Sequence, residues 1–223
     1  MNDNYRCVSE NIRNLSLKYG TQIPRLVAVT KYQPVERILA LYSLGQIHFG
    51  ESKVQDLVEK ASRLPKDIRW HFIGKIQSNK CKQLAKVDNL FQVESLDSEY
   101  IASELNKCLT KKINVYIQIN TSGEESKNGI TFDDQTTLFN MVKYIINDCN
   151  NLKFCGLMTI GHPDLDKCEK CFSILSRLRR EVEKNFPEIA LESSMGMSND
   201  YHLAIKENTN QIRLGRCLFN SCS

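Results

Sequence analysis

The chain has 223 residues, with 30 lysines and arginines against 26 acidic residues and a net charge of +4. That length suits one large α/β domain of ~200–250 residues, able to bury a core without disulfides or metal. The mild, mixed charge argues against a dedicated nucleic-acid binder, and no apolar run approaches the ~18 residues that span a bilayer.

Val8, Ile12, Leu15 and Tyr19 recur at helical spacing, which predicts an amphipathic helix over 3–19 closed by Gly20. The apolar run Leu26-Val27-Ala28-Val29-Thr30 is too short for a helix and reads as a buried parallel strand ending on Lys31. Pro34 suits the first turn of the next helix, whose buried face carries Val35, Ile38, Leu39 and Tyr42. A second strand is expected over 47–50, with Glu51 and Ser52 opening a helix to Arg63. The third strand covers 68–74 and precedes a lysine-rich helix over 78–86. The fourth covers 90–93, after which Asp97 caps a helix to Leu109. The fifth is 113–120, with Thr121-Ser122-Gly123 as its turn, and Leu138, Met141, Val142 and Ile145 mark the helix that follows. The sixth is 152–159, and Phe172, Leu175, Leu178 and Val182 face inward from a long helix ending near Phe186-Pro187. The seventh strand is 189–193, a short helix covers 200–206, and the eighth strand is 211–214. Strands alternating with helices at this pace predict a parallel sheet. Eight such units predict a closed (β/α)8 TIM barrel with an extra N-terminal helix, one domain over 1–223; a doubly wound open sheet is the rival.

In a barrel the C-terminal strand ends converge on the face where ligands bind. That face would collect Lys31, Glu51, His71 or Gly74, Glu94, Asn120, Thr159, Ser198, and Arg213 with Gly215. A partly desolvated strand-end lysine can lose its proton and attack a carbonyl to form a Schiff base. The plainer alternative is a lysine that escapes to solvent. The small polar loop with Ser193, Ser194, Gly196 and Ser198 follows strand seven, and the Gly215 and Arg216 backbone N–H groups follow strand eight. Those two loops form the recurring phosphate site of such barrels. An amine for a carbonyl beside a nest for a phosphate suits pyridoxal 5'-phosphate (PLP), or a phosphosugar handled by a Schiff-base aldolase.

The motifs occur in a recognisable order: Ala28-Val29-Thr30-Lys31, Phe49-Gly50-Glu51, Trp70-His71-Phe72-Ile73-Gly74 with Gln77 and Asn79-Lys80, and Gly156-Leu157-Met158-Thr159-Ile160. Ser194-Met195-Gly196-Met197-Ser198-Asn199-Asp200 and Ile212-Arg213-Leu214-Gly215 complete the set. From about residue 2 to 219 the chain resembles the pyridoxal phosphate homeostasis protein family. The resemblance implies a barrel like the N-terminal domain of alanine racemase, with PLP held as an aldimine on Lys31. By motif, Ser198 and the Gly215–Arg216 backbone would hold the phosphate, and Arg213 would face the pyridine nitrogen. A guanidinium only donates, so the ring nitrogen would stay unprotonated and the cofactor would be a poorer electron sink than one paired with a carboxylate. The plainer alternative for Arg213 is pairing with a neighbouring carboxylate. Glu51 would orient cofactor contacts or cap the following helix; His71 would stack on the cofactor or sit as a satisfied core histidine. Two departures stand out: Ser52 where the family usually has asparagine, and Asn208-Thr209-Asn210 where it usually has Gly-Ser-Thr. Asparagine tolerates a left-handed backbone nearly as glycine does, and Thr209 keeps a hydroxyl for a phosphate.

The expected function is PLP binding in intracellular PLP (vitamin B6) and amino-acid homeostasis, without committed catalysis. The chain stops at Ser223, just after strand eight, where alanine racemase-like enzymes add a β-domain. No tyrosine or cysteine is assignable as a second acid/base. The alternative is a small fold-type III PLP enzyme, an amino-acid racemase or lyase. Apo PLP-dependent enzymes are the expected partners, with no nucleic acid, no membrane and no metal; a monomer is favoured. Nine cysteines, an odd number, read as reduced thiols, and the polar opening residues as no secretory leader, which places the protein in the cytoplasm or, in a eukaryote, also in mitochondria. Cys168-Glu169-Lys170-Cys171 has redox or zinc spacing but no second pair nearby. Lys75, Lys80, Lys82 and Lys86 form a basic patch without interleaved aromatics, read as a solvated helix face, with nucleic-acid contact as the alternative.

Overall fold

The computed structural model describes residues 2–219. Its strands are β1 (Arg25–Val29), β2 (His48–Glu51), β3 (Arg69–Phe72), β4 (Leu90–Leu96), β5 (Ile113–Asn120), β6 (Ile130–Thr131), β7 (Leu152–Met158), β8 (Glu192–Ser194) and β9 (Gln211–Leu214). Eight of them run in the order β4-β3-β2-β1-β9-β8-β7-β5, and the ring closes because β4 also pairs with β5. All of these pairings are parallel. Closure removes both sheet edges and excludes the open doubly wound sheet. The two-residue β6 pairs beside the end of β5, Ile119 against Ile130, and is too short to leave a sequence signal.

Eight helices accompany the strands: α2 (Val35–Tyr42), α3 (Val54–Arg63), α4 (Cys81–Leu84), α5 (Glu99–Cys108), α6 (Gln135–Asp148), α7 (Leu165–Asn185), α8 (Tyr201–Lys206) and α9 (Arg216–Phe219). The extra helix α1 (Asn2–Tyr19) lies against α8 and α9, burying Val8 and Ile12. Alternate strand residues point to opposite faces of a sheet. Ala28, Phe49, Trp70, Phe72, Ile117 and Leu214 point outward and join Leu57, Ile101, Met141 and Leu175 of the helices in one apolar core. The other strand face fills the barrel interior, and much of it is polar.

Several boundaries differ from expectation for local reasons. Ser98, not Asp97, caps α5: β4 runs on to Leu96, and the Ser98 hydroxyl accepts the Ile101 N–H. Lys53 is extended, so α3 opens at Val54 rather than at Ser52. The lysine-rich segment divides into a 3-10 turn, Ser78–Lys80, and the single turn of α4. β8 begins three residues later than its apolar pattern suggests: its pairing with β7 starts at Glu192 against Gly156, and the half-buried Glu192 carboxylate meets Arg25 at 2.8 Å. Cys168 and Cys171 are both buried on α7, and burial, with Asp200 nearby, pushes the Cys168 thiol up to about 12, away from thiolate chemistry.

Asn208 adopts φ +55, the left-handed conformation that asparagine tolerates nearly as glycine does, and its Oδ1 accepts the Gln22 N–H. Asn208→Val should therefore destabilise the protein by about 1–2 kcal/mol, since a β-branched residue resists that backbone, while Asn208→Gly should stay within about 1 kcal/mol of the parent. Urea titration of the three proteins measures this.

Candidate functional site

The barrel interior is organised around Glu94 of β4, which is fully buried. His71 Nδ1 donates to its Oε1 at 2.8 Å, Gln211 Nε2 to the same oxygen at 2.7 Å, and the Ser194 hydroxyl to Oε2 at 2.7 Å. Arg213 of β9 stands above, 4% exposed, with Nη1 donating to Ser194 Oγ at 2.5 Å and Nη2 to the Thr159 carbonyl at 2.7 Å. Its guanidinium is 3.9 Å from Glu94 Oε2. Burial opposes the charge of Glu94, but the His71 hydrogen bond and charge, then Arg213 and Ser194, outweigh it and hold the carboxyl below its ordinary value. Burial likewise lowers Arg213, and Glu94 acts against that. Beneath, His71 Nε2 meets His48 Nδ1 at 2.8 Å; burial and the neighbouring His71 push His48 down to about 3. Arg25 holds Glu192 through both oxygens, and the Tyr116 hydroxyl donates to the same carboxylate.

Lys31 follows β1 on the inward-facing parity of Val27 and Val29. It is exposed at the mouth, rather than partly desolvated as a strand end suggests, and makes no hydrogen bond or ion pair among the described residues. The next residue, Tyr32, takes φ +64 and is 77% exposed. What fixes this strand end lies on its outer side. Thr30 Oγ1 donates to Glu51 Oε1 at 2.6 Å, and Lys60 Nζ of α3 donates to the Thr30 carbonyl at 2.8 Å and to Glu51 Oε1 at 2.5 Å. Both charged groups are buried.

Across the mouth, the loop after β8 bends at Gly196, whose φ of +97 and close approach to Ala204 leave no room for a side chain. Asp200 Oδ1 accepts the Met197 N–H at 2.6 Å and sets the loop so that Ser198 Oγ accepts from Gly215 N at 3.3 Å and Cys217 N at 3.5 Å. Gly215 lies beside the end of β1, where an added Cβ would come 3.4 Å from the Val29 carbonyl oxygen. An amine, a buried guanidinium, a serine hydroxyl and backbone N–H groups therefore share one face. That donor set fits a phosphorylated aldehyde: donors for the phosphate, a cation for a ring heteroatom and a nucleophile for the carbonyl carbon.

Of the residues singled out in the sequence, Lys31, Ser198, Arg213, Gly215 and Arg216 come together here, with the Arg216 side chain exposed. His71 sits a layer below, fully buried and held by Glu94 and His48, which corresponds to the satisfied core histidine. Glu51 needs correction. It shares the parity of Phe49 and faces α3, so neither cofactor contact nor helix capping describes it; it anchors the strand end behind Lys31. Thr209 needs correction too. It precedes β9, at the opposite end of the barrel from the mouth, and its hydroxyl bonds the Ser193 and Gln211 carbonyls. Ser193 and Ser194 are likewise spent inside β8 rather than free in the loop. Lys60 and Gln211 went unremarked as contributors. The spacing of Glu51 and Lys60, one on a strand end and one nine residues on in the following helix, carries no pattern that marks an ion pair.

Comparison with known proteins adds the following. The alanine racemase N-terminal domain family matches residues 4–222. The pyridoxal phosphate homeostasis protein of Schizosaccharomyces pombe is 43% identical over 202 residues, 88% of this chain and 83% of that one. The human protein of the same name is 40% identical over 233 residues, 96% of this chain and 84% of that one. The structure of PipY from Synechococcus elongatus, solved with PLP bound, superposes with a TM-score of 0.77 at 29% identity, covering 88% of this chain and 92% of that one.

Two outcomes test the packing behind the mouth. Lys60→Met leaves Glu51 buried without its counter-charge and should cost about 3–5 kcal/mol in urea unfolding, much of it recovered when Glu51→Leu is added. The folded-state pKa of Glu94 lies below its unfolded value. Its contribution is thus complete above the ordinary value of 4.5 and is lost as pH falls through the lower folded value. Unfolding measured on either side of that range should show a shallower acid loss for Glu94→Gln than for the parent.

Proposed function

This chain belongs to the pyridoxal phosphate homeostasis protein family, and on that premise we propose that it binds PLP at the barrel mouth and serves B6 homeostasis as a carrier rather than as an enzyme. The observation that carries the reading is the shared face of Lys31, Arg213 and the Ser198–Gly215–Cys217 donors. When bound, the cofactor supplies an electrophilic aldehyde and a conjugated ring. Lys31 would contribute the amine that holds the aldehyde carbon. Ser198 and the adjoining backbone N–H groups would hold the phosphate, and Arg213 would face the ring nitrogen.

The same residues argue against committed catalysis. Arg213 offers only donors, so it cannot hold a proton on a ring nitrogen as a carboxylate does. The neighbouring carboxylate, Glu94, is turned to His71, Gln211, Ser194 and Arg213 beneath the mouth. The alternative, a small PLP racemase or lyase, draws on the match to the alanine racemase domain family. Apo PLP-dependent enzymes are the partners this reading calls for, with the chain acting as a single-domain monomer in the cytoplasm. Among the described residues no helix is long and apolar enough to cross a membrane.

Borohydride reduction of the PLP-treated protein, followed by peptide mapping, tests the site. One pyridoxyl-lysine at Lys31, absent in Lys31→Ala, is expected; labelling elsewhere with Lys31 free would overturn it. Incubation with L-amino acids should yield no more D-isomer or keto acid than Lys31→Ala does. Sustained turnover lost in that variant would favour the enzyme instead.

A further inference from the structure

The lysines that follow β3 do not all lie on one helix face. Lys82 and Lys86 are exposed on the outer side. Lys75, which is exposed too, and the half-buried Lys80 line a cavity of about 200 Å³ together with the exposed Lys53 and with Ser52, Gln55 and Gln77. No carboxylate lines it, and none of the three ammonium groups has an ion pair or hydrogen bond among the described residues. Lys53 rests 5.3 Å from the centre of the Tyr32 ring, and Lys75 influences the half-buried Asp97 without pairing with it. A second cavity, of about 250 Å³ between α2 and α3, shows the contrast: Glu36, Asp56 and Glu59 stand beside Lys60 and Arg63 and balance them.

Three cations gathered with no carboxylate among the lining residues repel one another, and an anion seated among them relieves that repulsion. The strand order places this cavity, at the ends of β2 and β3, on one flank of Lys31, while Gly215 at the end of β9 and the Ser198 loop after β8 lie on the other flank. It is therefore separate from the donors assigned to the cofactor phosphate. We propose that the Lys53–Lys75–Lys80 cavity is a second anion site that takes a small phosphate-class dianion. Three ammonium groups and two amide side chains supply donors for such a ligand, and the charge excess favours a dianion over a monoanion. The volume is below the ~300–1,000 Å³ of pockets that hold drug-sized ligands, so a phosphate or small monoester suits it better than a nucleotide. This assigns a role to Gln77 and Lys80 of the sequence motif, which the cofactor reading leaves unused.

Calorimetric titration with inorganic phosphate at constant ionic strength tests the site, using protein first loaded with PLP and reduced so that the Lys31 side is occupied. Saturable binding is expected, weakened tenfold or more in Lys75→Gln/Lys80→Gln, with acetate binding more weakly than phosphate. PLP uptake by that variant, read from absorbance, should match the parent. No saturable binding, equal binding by the double variant, or acetate matching phosphate would overturn the proposal. Should PLP fail to attach at Lys31, the titration is run on untreated protein, so the two readings stand or fall separately.

Discussion

Arg213 and Glu94 occupy the inside of one small barrel, and each is the other's counter-charge. At 3.9 Å and an effective dielectric of 20, their attraction is about 4 kcal/mol. Desolvating each ion costs several kcal/mol, so attraction alone does not settle the balance. The difference comes from the neutral groups around them: Ser194 bridging both, Gln211 and His71 on Glu94, and the Thr159 carbonyl on Arg213. Hydrogen bonds to charged groups contribute about 1.5–3 kcal/mol each. An apolar interior of the same volume could be as stable; what the polar one adds is placement. It fixes a guanidinium under the mouth and turns the carboxylate away from it.

The second constraint acts on β1 from outside. A strand end is free to roll unless both of its faces are held. Val27 and Val29 pack inside, while Thr30 is tied on the outer side to Glu51 and Lys60. With Thr30 held outward, strand parity leaves Lys31 only the mouth. The amine and the guanidinium thus owe their positions to separate networks that meet at the junction of β1 with β9, where Ala28 pairs with Leu214.

The barrel was legible because its strands are short β-branched and apolar runs separated by helix-spaced hydrophobes, and that pattern is strong enough to survive errors of a few residues. The serine-rich β8 lacks such a run; its buried contacts are polar, the Ser194 hydroxyl meeting Glu94 and Arg213. Polar residues alternating along β4 and β9 look like a solvated sheet face when read locally; only ring closure shows that this face is inside. Glu51 was assigned to the mouth because it ends a strand, although Phe49 two residues earlier has the parity that points it to the helices. Thr209 was drawn to the phosphate by its place in a motif, whereas chain direction sets it at the far end of β9. The Ser198 loop and Gly215 were legible because both follow strand ends, where barrel geometry itself gathers them.

The most direct measurement is a crystal structure of the protein grown with PLP. The account predicts continuous density between Lys31 Nζ and the cofactor, the phosphate on Ser198 Oγ and the Gly215 and Cys217 N–H groups, and the Arg213 guanidinium at the ring nitrogen with Glu94 still bound to His71. A cofactor joined to another lysine, or a carboxylate at the ring nitrogen, would contradict it.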